Sequence, residues 1–267
     1  MADTAVAAPS DLVLVEHQGP LAIVRINRPA ALNALNAETL QALHTVLCAL
    51  ASAVGVRAVV LTGAGDKAFV AGADIAAMHT MAPAQALALS QLGAAVADQI
   101  VAMPQVVIAA VNGFALGGGC EMALACDIVV ASRKAKFGLP EVTLGVIPGF
   151  GGTQRLLRQI GRYAAKRWVL SGDLFSAEEA QRYGVVQDVF EPEELLIKAI
   201  ELASRIASRG PLAVAAAKRV IDAGADMTLP AATVIESQAF AQCFATADQR
   251  EGMTAFLGKR PAQFAGN

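Results

Sequence analysis

The sequence predicts an α/β core with crossover connections, followed by a helical C-terminal region. Three observations lead there. Short Val/Ile/Leu runs alternate with helical periodicities, Gly and Pro punctuate the joins between them, and the strand-like runs stop beyond about Pro192. The first two runs, 12–17 and 21–26, are separated by Gln18-Gly19-Pro20, which suits a turn between paired strands. From Asn36, a suitable N-cap, Leu40, Leu43, Leu47 and Leu50 recur at helical spacing, with Gly55 near the end. A strand follows at Ala58-Val59-Val60-Leu61, then the turn Gly63-Ala64-Gly65. The same logic repeats with a helix from about Pro83 to Met103 and a buried strand from Val106 to Val111. A Gly-rich turn then opens a helix at about Gly118, and Ile128-Val129-Val130 makes another strand. Ser176-Ala177-Glu178-Glu179 is a capping-box signature and starts a helix. Helices are expected near 192–208, 211–223, 230–246 and 248–258, so residues 1–209 read as the α/β core and 210–267 as the helical region.

The chain has 267 residues, 55% of them hydrophobic and 16% charged, a balance that excludes a disordered chain and predicts a sizeable packed core. A net charge of −2 offers no basic field for nucleic acid or an anionic membrane, so any anionic ligand must be held locally. The opening segment MADTAVAAPS has no basic n-region and reads as neither a secretory signal nor a transit peptide. Apolar stretches are interrupted by Pro104 and Gln105, or by glycines, Glu121 and Asp127, so no membrane span is expected. The four cysteines show no C-x-x-C pair and no ligand spacing with the three histidines. The expectation is a soluble cytoplasmic protein with reduced thiols and no metal.

Two carboxylates stand where charge is costly. Glu121 is the only one in Val111–Cys126 (VNGFALGGGCEMALAC), and Glu141 is the only charged group in Phe137–Gly152 (FGLPEVTLGVIPGFGG). An ionised carboxylate in apolar surroundings must be paired, hydrogen-bonded or raised in pKa. Two carboxyls with protonation states pushed apart suit acid/base work near neutral pH. Either glutamate alone reads more readily as a helix cap or a side chain reaching the surface, and neither composition nor periodicity brings the two together. Gly117-Gly118-Gly119 follows a buried strand and precedes a helix, so its free N–H groups are placed to face a developing negative charge. A close-packed turn would need the same glycines. A similar turn at Ala71-Gly72-Ala73-Asp74-Ile75 offers a second donor.

These segments resemble the enoyl-CoA hydratase, or crotonase, family over nearly the whole chain. The matching runs, in order, are Arg28-Pro29, Ala31-Leu32-Asn33-Ala34-Leu35, Lys67-Ala68-Phe69, Ala71-Gly72-Ala73-Asp74-Ile75 and Ala109-Ala110-Val111-Asn112-Gly113. Leu116-Gly117-Gly118-Gly119-Cys120-Glu121, Cys126-Asp127-Ile128, Phe137-Gly138-Leu139-Pro140-Glu141 and Gly151-Gly152-Thr153-Gln154-Arg155-Leu156 continue it. Arg250-Glu251-Gly252-Met253 and Lys259-Arg260 resemble the family's closing segment.

The resemblance implies a crotonase-like spiral of ββα turns whose helical C-terminal region builds homotrimers, often paired as hexamers. It also implies an enzyme of acyl-CoA metabolism that adds water to a 2-enoyl-CoA, the reaction used in β-oxidation. Glu121 and Glu141 fall on the family's catalytic pair, and Ala73 and Gly118 on its oxyanion hole. Lys67, Ala71, Asp74, Ile75, Gly117 and Lys259 are the candidate contacts to substrate and CoA. No cofactor beyond the substrate's own coenzyme A is implied. Ala30 and Ala76 stand where relatives often carry lysine, which leaves Lys67 and Lys259 as the candidate phosphate contacts. An enoyl-CoA isomerase or another acyl-CoA enzyme of the same family is the alternative, and the presence of both glutamates selects the hydratase.

Three rivals are weaker. Gly63-x-Gly65-x-x-Ala68 mimics a dinucleotide fingerprint but lacks the long helix and the acidic residue that should follow. No G-x-S-x-G elbow supports a serine hydrolase. An RNA-binding or scaffold role would leave the glutamates without a task.

Overall fold

The computed structural model describes residues 11–267, so the reading of the N-terminal segment lies outside the described residues. The chain opens with the expected hairpin. Strands β1 (Val13–Gln18) and β2 (Leu21–Ile26) pair antiparallel, and the turn between them has Gly19 at φ +57°, a conformation that costs glycine little. Helix α1 (Ala37–Ala51) starts at Asn36, whose side chain accepts the Thr39 N–H at 2.9 Å, and it buries Leu40, Leu43, Leu47 and Leu50.

Two sheets then grow together. The larger has the order β1-β2-β3-β5-β7-β10, with β3 (Ala58–Gly63), β5 (Val106–Val111), β7 (Ile128–Ser132) and β10 (Asp188–Phe190) continuing parallel to β2. The smaller has the order β4-β6-β8-β9. Its members are β4 (Ala68–Val70), β6 (Phe114–Leu116), β8 (Lys136–Gly138) and the two-residue β9 (Phe175–Ser176). Each long strand therefore hands the chain to a short one, as β3 to β4, β5 to β6 and β7 to β8. That is the ββ part of the expected spiral turn.

The four short strands were not read from the sequence, because two or three residues are too few to show alternation. The dinucleotide rival falls at the same place. Gly63 leads into β4 rather than into a helix, and a side chain there would strike the Ala68 carbonyl.

Helix α2 (Ile75–Met78) is a single turn, and α3 (Pro83–Ala102) follows it. Helix α4 (Gly118–Ala125) comes directly after β6. Helices α5 (Gly152–Ile160) and α6 (Arg162–Ser171) complete the layer around the site, and α7 (Ala177–Arg182) starts at the expected capping box on Ser176. The main core lies between the large sheet and α1, α3 and α4, where Leu43, Leu47, Val59, Leu61, Ile100 and Val107 are buried. On the opposite face α8 (Leu195–Ala207) lays Leu195, Ala199, Ala203 and Ala207 against Ile23, Val60 and Ile108.

Helices α9 (Pro211–Gly224), α10 (Leu229–Cys243) and α11 (Ala247–Leu257) follow with no strand between them. A buried ion pair ties α9 to the core: Lys218 Nζ reaches Asp127 at 2.9 Å and the carbonyls of Ile100 and Gln105 at 3.0 Å each. All four cysteines are free thiols, and no helix among the described residues is long and apolar enough to cross a membrane.

Candidate active site

The small sheet sets the site. Strands β4, β6 and β8 lie parallel and side by side, so the segments leaving their C-terminal ends emerge next to one another. Those segments are Ala71–Asp74, Gly117–Glu121 and Leu139–Glu141, the three places the sequence singled out. Together with the start of α3 and the loop Leu144–Phe150 they line one cavity of about 710 Å³. Ala71, Ala73, Ile75, Gly117, Gly118, Glu121 and Glu141 all face it.

Glu121 sits in the first turn of α4 and is 1% exposed. Its Oε1 accepts the N–H of Phe150 at 2.7 Å and of Gly152 at 2.6 Å. Burial pushes its pKa up, while these main-chain donors and the Arg155 guanidinium pull it back. Gly152 must lack a side chain, since a Cβ would stand 2.7 Å from Glu121 Cγ.

Glu141 follows Pro140 at the start of a 3₁₀ turn. Its Oε2 is buried and has no hydrogen-bond partner among the described residues. Burial, with a smaller push from the Glu121 charge, raises its pKa to about 7 against the pull of its own backbone N–H. The two carboxyls therefore feel each other, and their surroundings differ: Glu121 is held by the N–H groups of another loop, whereas Glu141 has only its own backbone N–H and one oxygen without a partner among the described residues.

Two main-chain segments at the cavity carry candidate N–H donors. Leu35 and Ala73 form an isolated parallel bridge in which the Leu35 N–H donates to Gly72 O and the Asp74 N–H to Leu35 O, both at 2.9 Å. Backbone groups of a bridged residue that are not used in the bridge point to the other side, so the Ala73 N–H points away from Leu35, and Ala73 lines the cavity. Gly118 opens α4, and the first N–H groups of a helix have no acceptor within it. Gly117 just before it holds φ +49° and ψ −123°, and a Cβ there would stand 2.8 Å from Glu141 Oε1. Only glycine fits both demands.

The remaining candidates lie elsewhere. Asp74 caps α2 and pairs with Arg28 at 3.0 Å, which holds its carboxyl below the usual range. Lys67 is exposed in the turn before β4, and Lys259 is exposed beyond α11; neither lines the cavity. Sequence reasoning did not pick out Phe150 and Gly152 as the donors to Glu121, nor Ser90 and Leu87 on α3 as lining. The run Gly149-Phe150-Gly151-Gly152 was the available signal, because so many glycines in a row mark backbone brought close to something.

A family model described as Enoyl-CoA hydratase/isomerase matches residues 16–267. The chain belongs to this family. Among enoyl-CoA hydratase/isomerase relatives, the Crotonyl-CoA hydratase of Syntrophomonas wolfei is 49% identical over 252 residues, covering 94% of this chain and 97% of the relative. The Short-chain-enoyl-CoA hydratase of Clostridium acetobutylicum is 48% identical over 248 residues, covering 93% and 95%. The crystal structure of Enoyl-CoA Hydratase from Bacillus anthracis superposes with a TM-score of 0.94 at 40% identity, over 96% of this chain and all of that one. The expected crotonase-like fold is thus the observed one.

Proposed function

We propose that this protein is an enoyl-CoA hydratase that adds water reversibly to a trans-2-enoyl-CoA to give the 3-hydroxyacyl-CoA. One observation carries the reading: a single apolar cavity is lined by the buried Glu121 and the half-buried Glu141, two carboxyls in contrasting surroundings, together with Ala73 and Gly118, whose main-chain N–H groups are the assigned donors. The relatives' names point to the same substrate class.

In this reading the thioester carbonyl oxygen accepts the N–H groups of Ala73 and Gly118, which draws electron density from Cβ and stabilises the enolate-like transition state. A water lies between the carboxyls. Glu121, whose N–H donors favour its ionised form, takes a proton as the water oxygen bonds to Cβ. Glu141, protonated up to about pH 7, gives a proton to Cα. One hydrogen and one hydroxyl are added and the two carboxyls exchange protonation states, so electrons balance without a redox partner or any cofactor beyond the CoA of the substrate. An isomerase shuttles one proton along the acyl chain and needs one such group; the second buried carboxyl favours hydration.

Ala71, Ile75 and Gly117 are assigned to the thioester end of the substrate, and the exposed Lys67 and Lys259 to the CoA phosphates. Asp74 acts through Arg28, holding the strand that presents Ala73. Large apolar side chains stand exposed on the C-terminal helices, Leu229, Phe240, Phe256 and Leu257 among them. They support the assignment of that region to trimer or hexamer contacts. A cytoplasmic place in fatty acyl-CoA breakdown fits the same reading.

The test is loss of the enoyl-thioester absorbance with crotonyl-CoA. Glu121→Gln and Glu141→Gln should each lower the rate by orders of magnitude in a folded protein. Wild-type turnover in either removes the assigned roles.

A further inference from the structure

The loop whose N–H groups hold the Glu121 carboxyl is itself held from behind. Its peptide units alternate in a consistent way. The unit joining Gly149 to Phe150 gives its N–H to Glu121 at 2.7 Å, while its carbonyl accepts the Ser90 hydroxyl at 2.5 Å. The next carbonyl, of Phe150, accepts Arg155 Nη1 at 2.8 Å. The unit joining Gly151 to Gly152 gives its N–H to Glu121 at 2.6 Å, and its carbonyl accepts the Gln154 and Arg155 N–H groups of α5. Arg155 is fixed in turn by Asp98 of α3 at 2.7 Å. Its guanidinium lies over Gly151, where a Cβ would collide with Nη1.

Resting on the hydratase reading, we propose that Arg155 and Ser90 are positioning residues for the reaction: through the carbonyls of Phe150 and Gly149 they hold the two main-chain N–H groups that carry the Glu121 carboxylate. The physical basis is polarisation along the chain of bonds. A peptide whose carbonyl accepts a hydrogen bond becomes a stronger donor at its own N–H. Ser90 thus strengthens the Phe150 donor, and Arg155 adds a partly buried cation, 22% exposed at its side chain. Neither needs to touch the reacting atoms.

The ionisable groups facing Glu121 are few. Glu141 comes from the 3₁₀ turn, Arg155 from α5 and the buried Cys120 thiol from its own helix; α3 contributes Asp98, which faces Arg155. Strands β4 and β6 carry no ionisable side chain. Among the described residues Arg155 is thus the one cation that favours the ionised form of Glu121, and the main-chain donors act in the same direction.

The experiment is the pH profile of kcat and kcat/KM with crotonyl-CoA for Arg155→Gln, Arg155→Lys and Ser90→Ala, with thermal midpoints to verify folding. Arg155→Gln should lower kcat about tenfold or more with KM little changed, and move the acid limb up by about half to one pH unit. Arg155→Lys keeps the charge without the planar fork, so kcat falls while the limb stays; it carries the test should Arg155→Gln fail to fold. Ser90→Ala should lower kcat and move the limb in the same direction as Arg155→Gln. Placed on Glu121→Gln, Arg155→Gln should lower the residual rate less than about twofold, because effects routed through one group do not add. A full further loss on that background would overturn the inference, as would unaltered kcat and acid limb in Arg155→Gln and Ser90→Ala. Wild-type turnover in Glu121→Gln would instead fell the role of Glu121, and the positioning role with it.

Discussion

Gly152→Ala is the sharpest perturbation of the site, because it adds one methyl group and its consequence is set by geometry. The new Cβ would stand 2.7 Å from Cγ, 2.8 Å from Oε1 and 3.1 Å from Cδ of Glu121. Carbon atoms settle at about 3.5–4.0 Å, so the carboxyl must retreat by about 0.8 Å or more. The atom that yields is the end of a side chain and not the backbone, so the fold survives and the site pays. Retreat breaks the 2.6 Å bond from the Gly152 N–H. A hydrogen bond to a charged group contributes about 1.5–3 kcal/mol, or about ten- to a hundredfold in rate. A misplacement near 1 Å leads to a similar loss of about a hundredfold. Gly152 is the first residue of α5 and lies outside the left-handed region, so alanine meets no backbone strain there. The variant should therefore unfold near the wild-type temperature while hydrating crotonyl-CoA about a hundredfold more slowly. Gly55→Ala, where a Cβ meets nothing within 4 Å, is the matched control. Wild-type kcat in folded Gly152→Ala would refute the claim that the N–H groups of this loop hold the working carboxylate.

Other consequences can be measured in the same preparations. Glu141 has its pKa raised by burial from 4.5 to about 7, so kcat/KM for hydration should fall as pH rises through about 7 and the proton for Cα is lost; a rate rising through that range would contradict the assignment. The same shift bears on stability. The folded state keeps this proton longer than the unfolded state, so the contribution is full below 4.5 and is lost as pH rises to about 7. Glu141→Gln should accordingly gain on the wild type in urea midpoint more at pH 8 than at pH 4.5, and a pH-independent difference would count against it. Lys218→Met leaves Asp127 buried without its cation and should cost about 3–5 kcal/mol at neutral pH. The loss should shrink in acid, where the Asp127 carboxyl, its pKa pushed up by burial, takes up a proton; an equal loss at both pH values would show that charge is not the cause. Light scattering should give a molar mass near three or six times 27.4 kDa, and a monomer would remove the role assigned to the exposed apolar side chains of α10 and α11.

Much of this was legible before any coordinates. The long strands and helices carry their pattern over five or more residues, and Asn36 and Ser176 announce their helices through side chains that do cap them. Glu121 and Glu141 stood out because a carboxylate alone in an apolar run needs an explanation, and in one cavity Glu121 is buried and Glu141 half-buried. The short strands were not legible, since β4, β6 and β8 owe their pairing to neighbours far along the chain rather than to local pattern. The partners of Glu121 were hidden for a related reason: Phe150 and Gly152 bind it through backbone N–H groups, which every residue but proline has. Sequence marks such donors only indirectly, through the glycines that let the backbone approach.

The illegible part is also the part that assembles the site. Three chain segments far apart in sequence must arrive at one place with their N–H groups and carboxyls correctly turned, and no local preference can do this. Parallel pairing of β4, β6 and β8 can, because adjacent parallel strands end side by side; Phe114 lies opposite both Ala68 and Lys136, Leu116 lies opposite Gly138, and a register shift within β4 sets its last residue, Val70, opposite Ala115. Gly119 shows how tightly the register is held, since a Cβ there would strike the Val70 carbonyl, locking the first turn of α4 onto the end of β4. It follows that Gly119→Ala should displace the Gly118 N–H and Glu121 together, losing activity through both, whereas Gly152→Ala disturbs the carboxyl alone. The two variants can be told apart with a saturated thioester that binds but cannot be hydrated. Its Kd should rise in Gly119→Ala and stay near wild type in Gly152→Ala, and equal Kd values would mean that the small sheet does not couple the carbonyl-binding donors to the acid/base pair.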